Sequence, residues 1–393
     1  MWRRPRFGGG CDFLEGLARQ RRMIQFKREA SVMKAEALAG GVTVSNRVNR
    51  RDFLKGSAAG ASALAAGLSG ATGLADGPLQ AGSNEMKSPT PGIGRPVQVA
   101  SIGIREGRPL DQIVQLVDEQ GTQGADMIVV PETCRGQSEK TQETLDGPTI
   151  SAMARLARKH HSYIVCPIDR MQGKQRFNSA VLLDRSGRVV CVYDKIYPVW
   201  ITECMARRVI PGKEVKVYQA DFGRIGFAIC FDVNWDPLWK RLADQGAELV
   251  IWPSAYSAGR SLQAQAIAYN YYIVSATSYP DCHVFDIDGQ EMVHDEHNRD
   301  ADTNVSRVTL DLDRCVFHQD LNVPEKLHKL LAERGEDVEQ EKWEPQEGWF
   351  VLRAKRPGTS CRELARQYGL EELRHYINRS QCEIDKCRGW EFS

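Results

Sequence analysis

The sequence predicts an α/β protein made of two similar halves, and three observations lead there. From Val97 onward, apolar runs of strand length alternate with stretches whose apolar residues recur at helical spacing. Two of these runs are nearly continuously apolar, as strands buried on both faces are. The same two runs echo each other: GADMIVVPE at 124–132 is paralleled by GAELVIWPS at 246–254. In both, a glycine ends a helix, an acidic residue opens the strand, and proline stops it just before a polar side chain.

In chain order, residues 97–104 alternate as a strand, and Leu110, Ile113, Val114 and Val117 mark a helix. The 124–132 strand follows, then a helix through Met153, Leu156 and Ala157, then a strand at 163–168. Residues 179–183 and 189–193 read as a hairpin around Arg185-Ser186-Gly187, and 215–220 with 225–229 as another through Gly223. Asp236-Pro237 suits an N-cap and first helical residue for a helix through Leu238, Trp239 and Leu242. After the 246–254 strand come a helix at 262–269, a strand at 272–276, a hairpin over 284–293 turning at Asp288-Gly289, and a last strand at 305–312. Residues 317–393 change character. They form a charged extension, helical at 326–334 and 362–379, that is expected to pack on this domain or on a partner subunit. A faint helix-turn-helix pattern at 360–380 carries less weight than that packing role.

The 393 residues are 42% hydrophobic and 26% charged, the composition of a globular chain able to bury a large core. The net charge of +1 hides an asymmetry: residues 1–55 hold 13 of the 52 Lys+Arg but only 5 of the 51 Asp+Glu. Beyond them acidic groups dominate, so no nucleic-acid surface is expected. The basic head has its own explanation. Asn49-Arg50-Arg51-Asp52-Phe53-Leu54-Lys55, a weakly apolar stretch at 56–75 and small residues Gly73 and Ala75 resemble a cleavable twin-arginine export signal. The alternative is an uncleaved membrane anchor, for which five glycines and three serines are poorly suited. Met33-Lys34 would be a more ordinary start for such a signal, so residues 1–32 are expected to lie upstream of it. The expected organisation is then signal region 1–75, Pro/Gly/Ser-rich linker 76–95, catalytic domain 96–316 and extension 317–393, in an extracytoplasmic protein.

Three reactive side chains fall at the ends of apolar strands: Glu132, Lys195 and Cys230. Strand ends are where catalytic groups converge on one cleft. A lone cysteine in an apolar run is ordinarily a core residue. With a carboxylate to act as base and an ammonium to favour thiolate and oxyanion, it becomes a candidate nucleophile for acyl transfer without histidine. No CxxC pair or cysteine–histidine spacing suits zinc. The histidine cluster His294-Asp295-Glu296-His297 reads as a solvated loop, so no metal or organic cofactor is expected.

The motifs VVPE (129–132), YDKIYP (193–198) and GFAICFD (226–232), framed by RFNSAVLLDRSGRVV (176–190) and GAELVIWPSA (246–255), resemble the carbon–nitrogen hydrolase (nitrilase) superfamily. The resemblance covers roughly residues 97–315. It implies a four-layer αββα sandwich, usually assembled as a homodimer or larger homo-oligomer. It also implies Glu132 as general base, Lys195 as oxyanion stabiliser, Cys230 as nucleophile, Glu203 as a second carboxylate placing substrate and water, and the Phe231 N–H as an oxyanion donor. Asn234, Trp235, Tyr256 and Arg135 are candidate substrate-binding residues. True nitrilases typically have Trp-Glu after the nucleophile. Phe231-Asp232 here is closer to the amidase and carbamoylase branches, so the expected activity is hydrolysis of a linear amide or N-carbamoyl compound. Alternatives are a nitrilase, or a catalytically silent exported binding or scaffold relative.

Overall fold

The computed structural model describes residues 92–279, 281–294 and 302–389. The twin-arginine motif, the stretch after it, most of the expected linker and Asp295-Glu296-His297 lie outside the described residues. Among the described residues no helix is long and apolar enough to cross a membrane.

The first half runs β1 (Pro96–Ile104), α1 (Leu110–Thr122), β2 (Met127–Val129), α2 (Pro148–His160), β3 (Tyr163–Gln172), β4 (Gln175–Leu183) and β5 (Val189–Asp194). The second runs β6 (Val217–Gln219), β7 (Arg224–Phe227), α3 (Asp236–Asp244), β8 (Leu249–Ser254), α4 (Gly259–Tyr269), β9 (Tyr272–Thr277), β10 (His283–Phe285) and β11 (Glu291–His294). β12 (Thr303–Asp311) then returns to pair antiparallel with β1 along its whole length. Two six-stranded sheets result, in the orders β12-β1-β2-β3-β4-β5 and β11-β10-β9-β8-β7-β6. Each has a parallel centre, β1-β2-β3 and β7-β8-β9, flanked by antiparallel strands.

Period-two alternation sorts the side chains into layers. Ala100, Ile102, Ile128, Val130 and Ile164 pack with Ile113, Val117, Met153 and Ala157 of α1 and α2. Their neighbours Val97, Val99, Met127, Val129 and Val165 join Ile225, Phe227, Leu249 and Ile251 of the second sheet. Ser101 on β1 donates to the Ser275 carbonyl on β9, tying one sheet to the other. Trp239 and Leu242 of α3 and Leu262 and Ala266 of α4 complete the αββα order.

Several boundaries differ from the sequence expectation. β3 and β4 run on past the apolar residues to form their own hairpin, and polar Arg170, Gln172, Gln175 and Arg176 are strand residues. Ion pairs supply what hydrophobicity does not: Arg170 with Asp194 at 2.9 Å and Arg176 with Asp169 at 2.6 Å. β7 ends at Phe227, two residues early, because the chain must turn before Cys230. Asp236 is not the N-cap of α3. That position is Trp235, and Asp236 instead accepts the Tyr269 hydroxyl at 2.8 Å. β1 starts at Pro96, and just before it the Arg95 guanidinium pairs with Glu248.

The extension contains helices, and between them a sheet that the sequence reading did not expect. β13 (Cys315–His318), α5 (Val323–Arg334), β14 (Val338–Glu344), β15 (Trp349–Ala354), α6 (Cys361–Gln367) and α7 (Leu373–Arg388) enclose a small core of Phe317, Leu330, Phe350, Leu352 and Leu364. The sheet order is β13-β15-β14, all antiparallel. β14 reads VEQEKWE, with so few apolar residues that no period stands out. The extension docks on its own domain through Arg374 to the Ala247 carbonyl (2.7 Å), Lys342 to Asp286 (3.4 Å) and Asn378 to Asp244 (2.9 Å).

Candidate active site

The two echoing segments end side by side. Glu132 lies three residues beyond β2, and its Oε2 accepts the backbone N–H of Ala255, the residue after β8, at 2.8 Å. Its Oε1 accepts Lys195 Nζ at 2.8 Å and Asn178 Nδ2 at 2.7 Å. Lys195 follows β5 and is 1% exposed. A buried ammonium is costly unless paired. Here the second partner is Glu203 Oε2 at 2.7 Å, delivered by a π-helical turn over Trp200–Met205. Asn178 Nδ2 also reaches Glu203 Oε1 at 2.8 Å, so one amide and one ammonium each bridge both carboxylates. Burial alone would lift the Glu203 carboxyl. Lys195, Asn178 and the Val199 N–H more than reverse this and hold it below the usual carboxylate range. Burial would likewise weaken the Lys195 ammonium, but Glu132, Cys230 and Glu203 raise its pKa well above the ordinary lysine value.

Cys230 completes the group. It opens a tight turn over Cys230–Asn234 with φ at 48°, a left-handed conformation costing a non-glycine residue about 1–2 kcal/mol. Asp232 holds that turn. Its Oδ2 accepts the Tyr193 hydroxyl at 2.6 Å and the Ile229 N–H at 2.8 Å, and its Oδ1 the Tyr197 N–H at 2.8 Å. Complete burial, partly offset by these donors, lifts its carboxyl to about 6. Trp252 Nε1 donates to the Cys230 carbonyl at 3.1 Å, securing the turn from β8. The thiol is pushed up to about 12, first by burial and then by the Glu132 charge, with Lys195 and Ser254 acting in the opposite sense. It is therefore a thiol at neutral pH, and attack requires a base at the moment of reaction.

Four of the candidate pocket residues gather beside the thiol. Trp235 stacks on Tyr197 with centroids 4.3 Å apart and meets the Phe231 edge at 4.8 Å, while Tyr256 packs against Trp252 at 5.7 Å. Asn234 donates to the Phe231 carbonyl at 2.9 Å. Arg135 is engaged elsewhere, donating to Thr149 Oγ1 at 2.9 Å and standing 3.7 Å from Glu143.

The carbon–nitrogen hydrolase family model matches residues 98–315, more than half of the chain. The chain belongs to this carbon–nitrogen hydrolase family. Curated relatives include the nitrilase and fragile histidine triad fusion protein NitFhit of Drosophila melanogaster, 29% identical over 187 residues (42% of this chain, 41% of that protein). The deaminated glutathione amidase of Synechocystis is 27% identical over 199 residues (44% and 72%), and the omega-amidase NIT2 of Danio rerio 24% over 154 residues (36% and 56%). The match thus spans under half of the fly protein and just over half of the fish one. Among solved structures, an amidase of Nesterenkonia AN1 is 20% identical with a TM-score of 0.49, covering 57% of this chain and 94% of that one. Saccharomyces cerevisiae Nit3 is 15% identical with a TM-score of 0.49, covering 62% and 95%.

In this carbon–nitrogen hydrolase, sequence reasoning missed Asn178 and Asp232 as site residues. Asn178 lies in the hairpin strand β4, and only its apolar surroundings hinted that an amide there needs partners. Asp232 stood next to the nucleophile in plain view, but its buried bonds to Tyr193, Ile229 and Tyr197 depend on contacts remote in sequence.

Proposed function

We propose that the chain is a cysteine-dependent hydrolase of a linear amide or N-carbamoyl compound, working through a thioester on Cys230. The observation that carries this is the Lys195 ammonium shared between Glu132 and Glu203 beside a strained thiol. Glu132 takes the Sγ proton as sulfur attacks the carbonyl carbon. The oxyanion that forms faces the Lys195 ammonium and the Phe231 N–H. Glu132 returns the proton to the departing nitrogen, ammonia or an amine leaves, and the same carboxylate activates the water that hydrolyses the thioester. Glu203 holds Lys195 in place and orients substrate and water. Asn234, Trp235 and Tyr256 line the acyl pocket. No step calls for a metal or organic cofactor.

An amide or carbamoyl group is favoured over a nitrile by Asp232, which replaces the glutamate that typically follows Cys-Trp in nitrilases. The activities in the names of the Synechocystis and Danio relatives point the same way. For the remaining properties we propose export by the twin-arginine route on Arg50-Arg51 and assembly as a homo-oligomer.

The test is ammonia release by the purified protein from a panel of amides, N-carbamoyl amino acids and nitriles, beside Cys230→Ala. Release from amides or carbamoyl compounds that disappears in the variant is the expected result. Equal release by the variant overturns the nucleophile assignment. A bound but unhydrolysed panel member would favour the silent-relative reading.

A further inference from the structure

The hairpin β10–β11 carries titratable side chains that the proposed reaction does not use. Antiparallel pairing sets His283 directly opposite His294, and their imidazoles stack with centroids 4.3 Å apart. Both Nδ1 atoms face Glu291: His283 Nδ1 lies 2.5 Å from Oε1 and His294 Nδ1 3.8 Å from Oε2. Both Nε2 atoms face Asp281, at 3.7 and 3.1 Å from its Oδ1.

We propose that His283 Nε2, His294 Nε2 and Asp281 Oδ1 bind a divalent transition-metal ion of the zinc class, with Glu291 as the carboxylate that orients both imidazoles. A tetrahedral ion with metal–ligand distances of about 2.0–2.1 Å sets its ligand atoms about 3.3 Å apart. Two of the three separations, 3.1 and 3.7 Å, already bracket that value, and all three atoms lie within 4.8 Å of one another. A carboxylate behind the imidazole is the usual outer partner of a metal-bound histidine, because it keeps the proton on Nδ1 and frees the Nε2 lone pair. His283 is held rigidly for this. It is buried, its Nδ1 is 2.5 Å from Glu291 Oε1, and a Cβ at Gly259 would come within 2.8 Å of its Cε1. The His294 side chain is 36% exposed, so a movement on the order of 1 Å can close the third edge. A cavity of about 450 Å³ borders the cluster and leaves room for a fourth ligand from solvent. Arg260 lines the same cavity as a like charge, against the two carboxylates Asp281 and Glu291. Two imidazoles and a carboxylate suit zinc, cobalt or nickel rather than magnesium or calcium.

The ion would fasten β10 and β11 to each other and to Asp281, taking over the His283 Nε2 lone pair that faces the Ser257 hydroxyl without it. Its role is structural, and it stands whether or not Cys230 is a nucleophile.

The experiment uses the full chain carrying Cys230→Ala, which removes the active-site thiol as a competing ligand. Cobalt(II) titration is expected to give the visible absorption of a four-coordinate nitrogen–oxygen site, with no near-ultraviolet thiolate band, and to saturate at one ion per chain. His294→Ala should abolish that signal, and Glu291→Gln should weaken binding about 10–100-fold. Zinc should raise the thermal midpoint of the parent but not of His294→Ala, and the two should unfold alike in chelator, which shows that the variant folds. A cobalt spectrum lacking the four-coordinate bands, or binding that survives both His294→Ala and Asp281→Asn, overturns the site. The cluster is then a hydrogen-bonded histidine pair that caps the hairpin.

Discussion

The segments that end at Glu132 and Ser254 start from nearly the same sequence and finish with different jobs. Each is the middle strand of its sheet's parallel centre, β2 between β1 and β3 and β8 between β7 and β9. Each runs through buried apolar residues into proline and then a buried polar side chain. The first delivers a carboxylate that binds Lys195 and Asn178. The second delivers the Ala255 N–H to that same carboxylate and a hydroxyl that acts on Cys230. Duplicated architecture thus brings two strand ends to one point, while the residue after each proline decides whether that end supplies the base or the scaffold. The two ends also bear on the thiol with opposite sign. The Glu132 charge raises its pKa and the Ser254 hydroxyl lowers it.

Glu132→Gln should separate the two ends most sharply. It keeps the shape and removes the base, so kcat/KM should fall by about 10²–10⁴-fold. Alkylation of Cys230 should respond in the other direction. The thiol loses a raising charge and keeps Lys195, so its pKa drops from about 12 and the rate with iodoacetamide at a fixed, mildly alkaline pH should rise. Turnover and alkylation falling together would mean that Glu132 supports the fold of the site instead of moving its proton.

Lys195→Met comes next in size. It removes an oxyanion donor, a loss of about 10²–10³-fold in kcat. It also leaves two buried carboxylates facing each other through Asn178, so the thermal midpoint should fall clearly at neutral pH and recover in part as the pH is lowered and one carboxyl takes a proton. A variant as stable as the parent at every pH would show that the ammonium is not what balances the pair. Asn178→Ala should cost about 10–100-fold in kcat/KM, since it removes one charge-assisted bond from each carboxylate. If it costs less than Ser254→Ala, the weight given to the Glu132 end is misplaced.

Much of this geometry was legible before any coordinates. The parallel strands showed because burial on both faces leaves continuous apolar runs such as MIVV and LVIW, and Pro131 and Pro253 marked where they stop. Glu132, Lys195 and Cys230 were legible because each breaks such a run with a reactive group. Long-range contacts were harder to foresee. Asp232 looks like a turn residue until Tyr193 closes over it. Arg135 looks like an anion ligand until Thr149 and Glu143 claim it. The β14–β15 sheet stayed hidden because β14, VEQEKWE, buries little beyond Val338, so only β15 carries an apolar run and its partner strand shows no hydrophobic period. His283 and His294 are eleven residues apart along the chain, and only the strand register makes them neighbours.

Ser254→Ala is the smallest of these changes and the one that tests the sign of the comparison. The hydroxyl accepts the Tyr256 N–H at 3.0 Å and acts to lower the thiol pKa, while the strand itself stays anchored by its own carbonyl to the Ser278 N–H at 2.9 Å. Losing one neutral bond of this kind costs about 0.5–1.5 kcal/mol, so kcat/KM should fall by about 2–10-fold with the thermal midpoint nearly unchanged. Alkylation of Cys230 should slow at the same fixed pH, because a contact that lowers the thiol pKa has gone. Glu132→Gln and Ser254→Ala would then move thiol reactivity in opposite directions while both lower turnover. That pattern fits one end acting as a base and the other as a support, and two supports or two bases could not produce it.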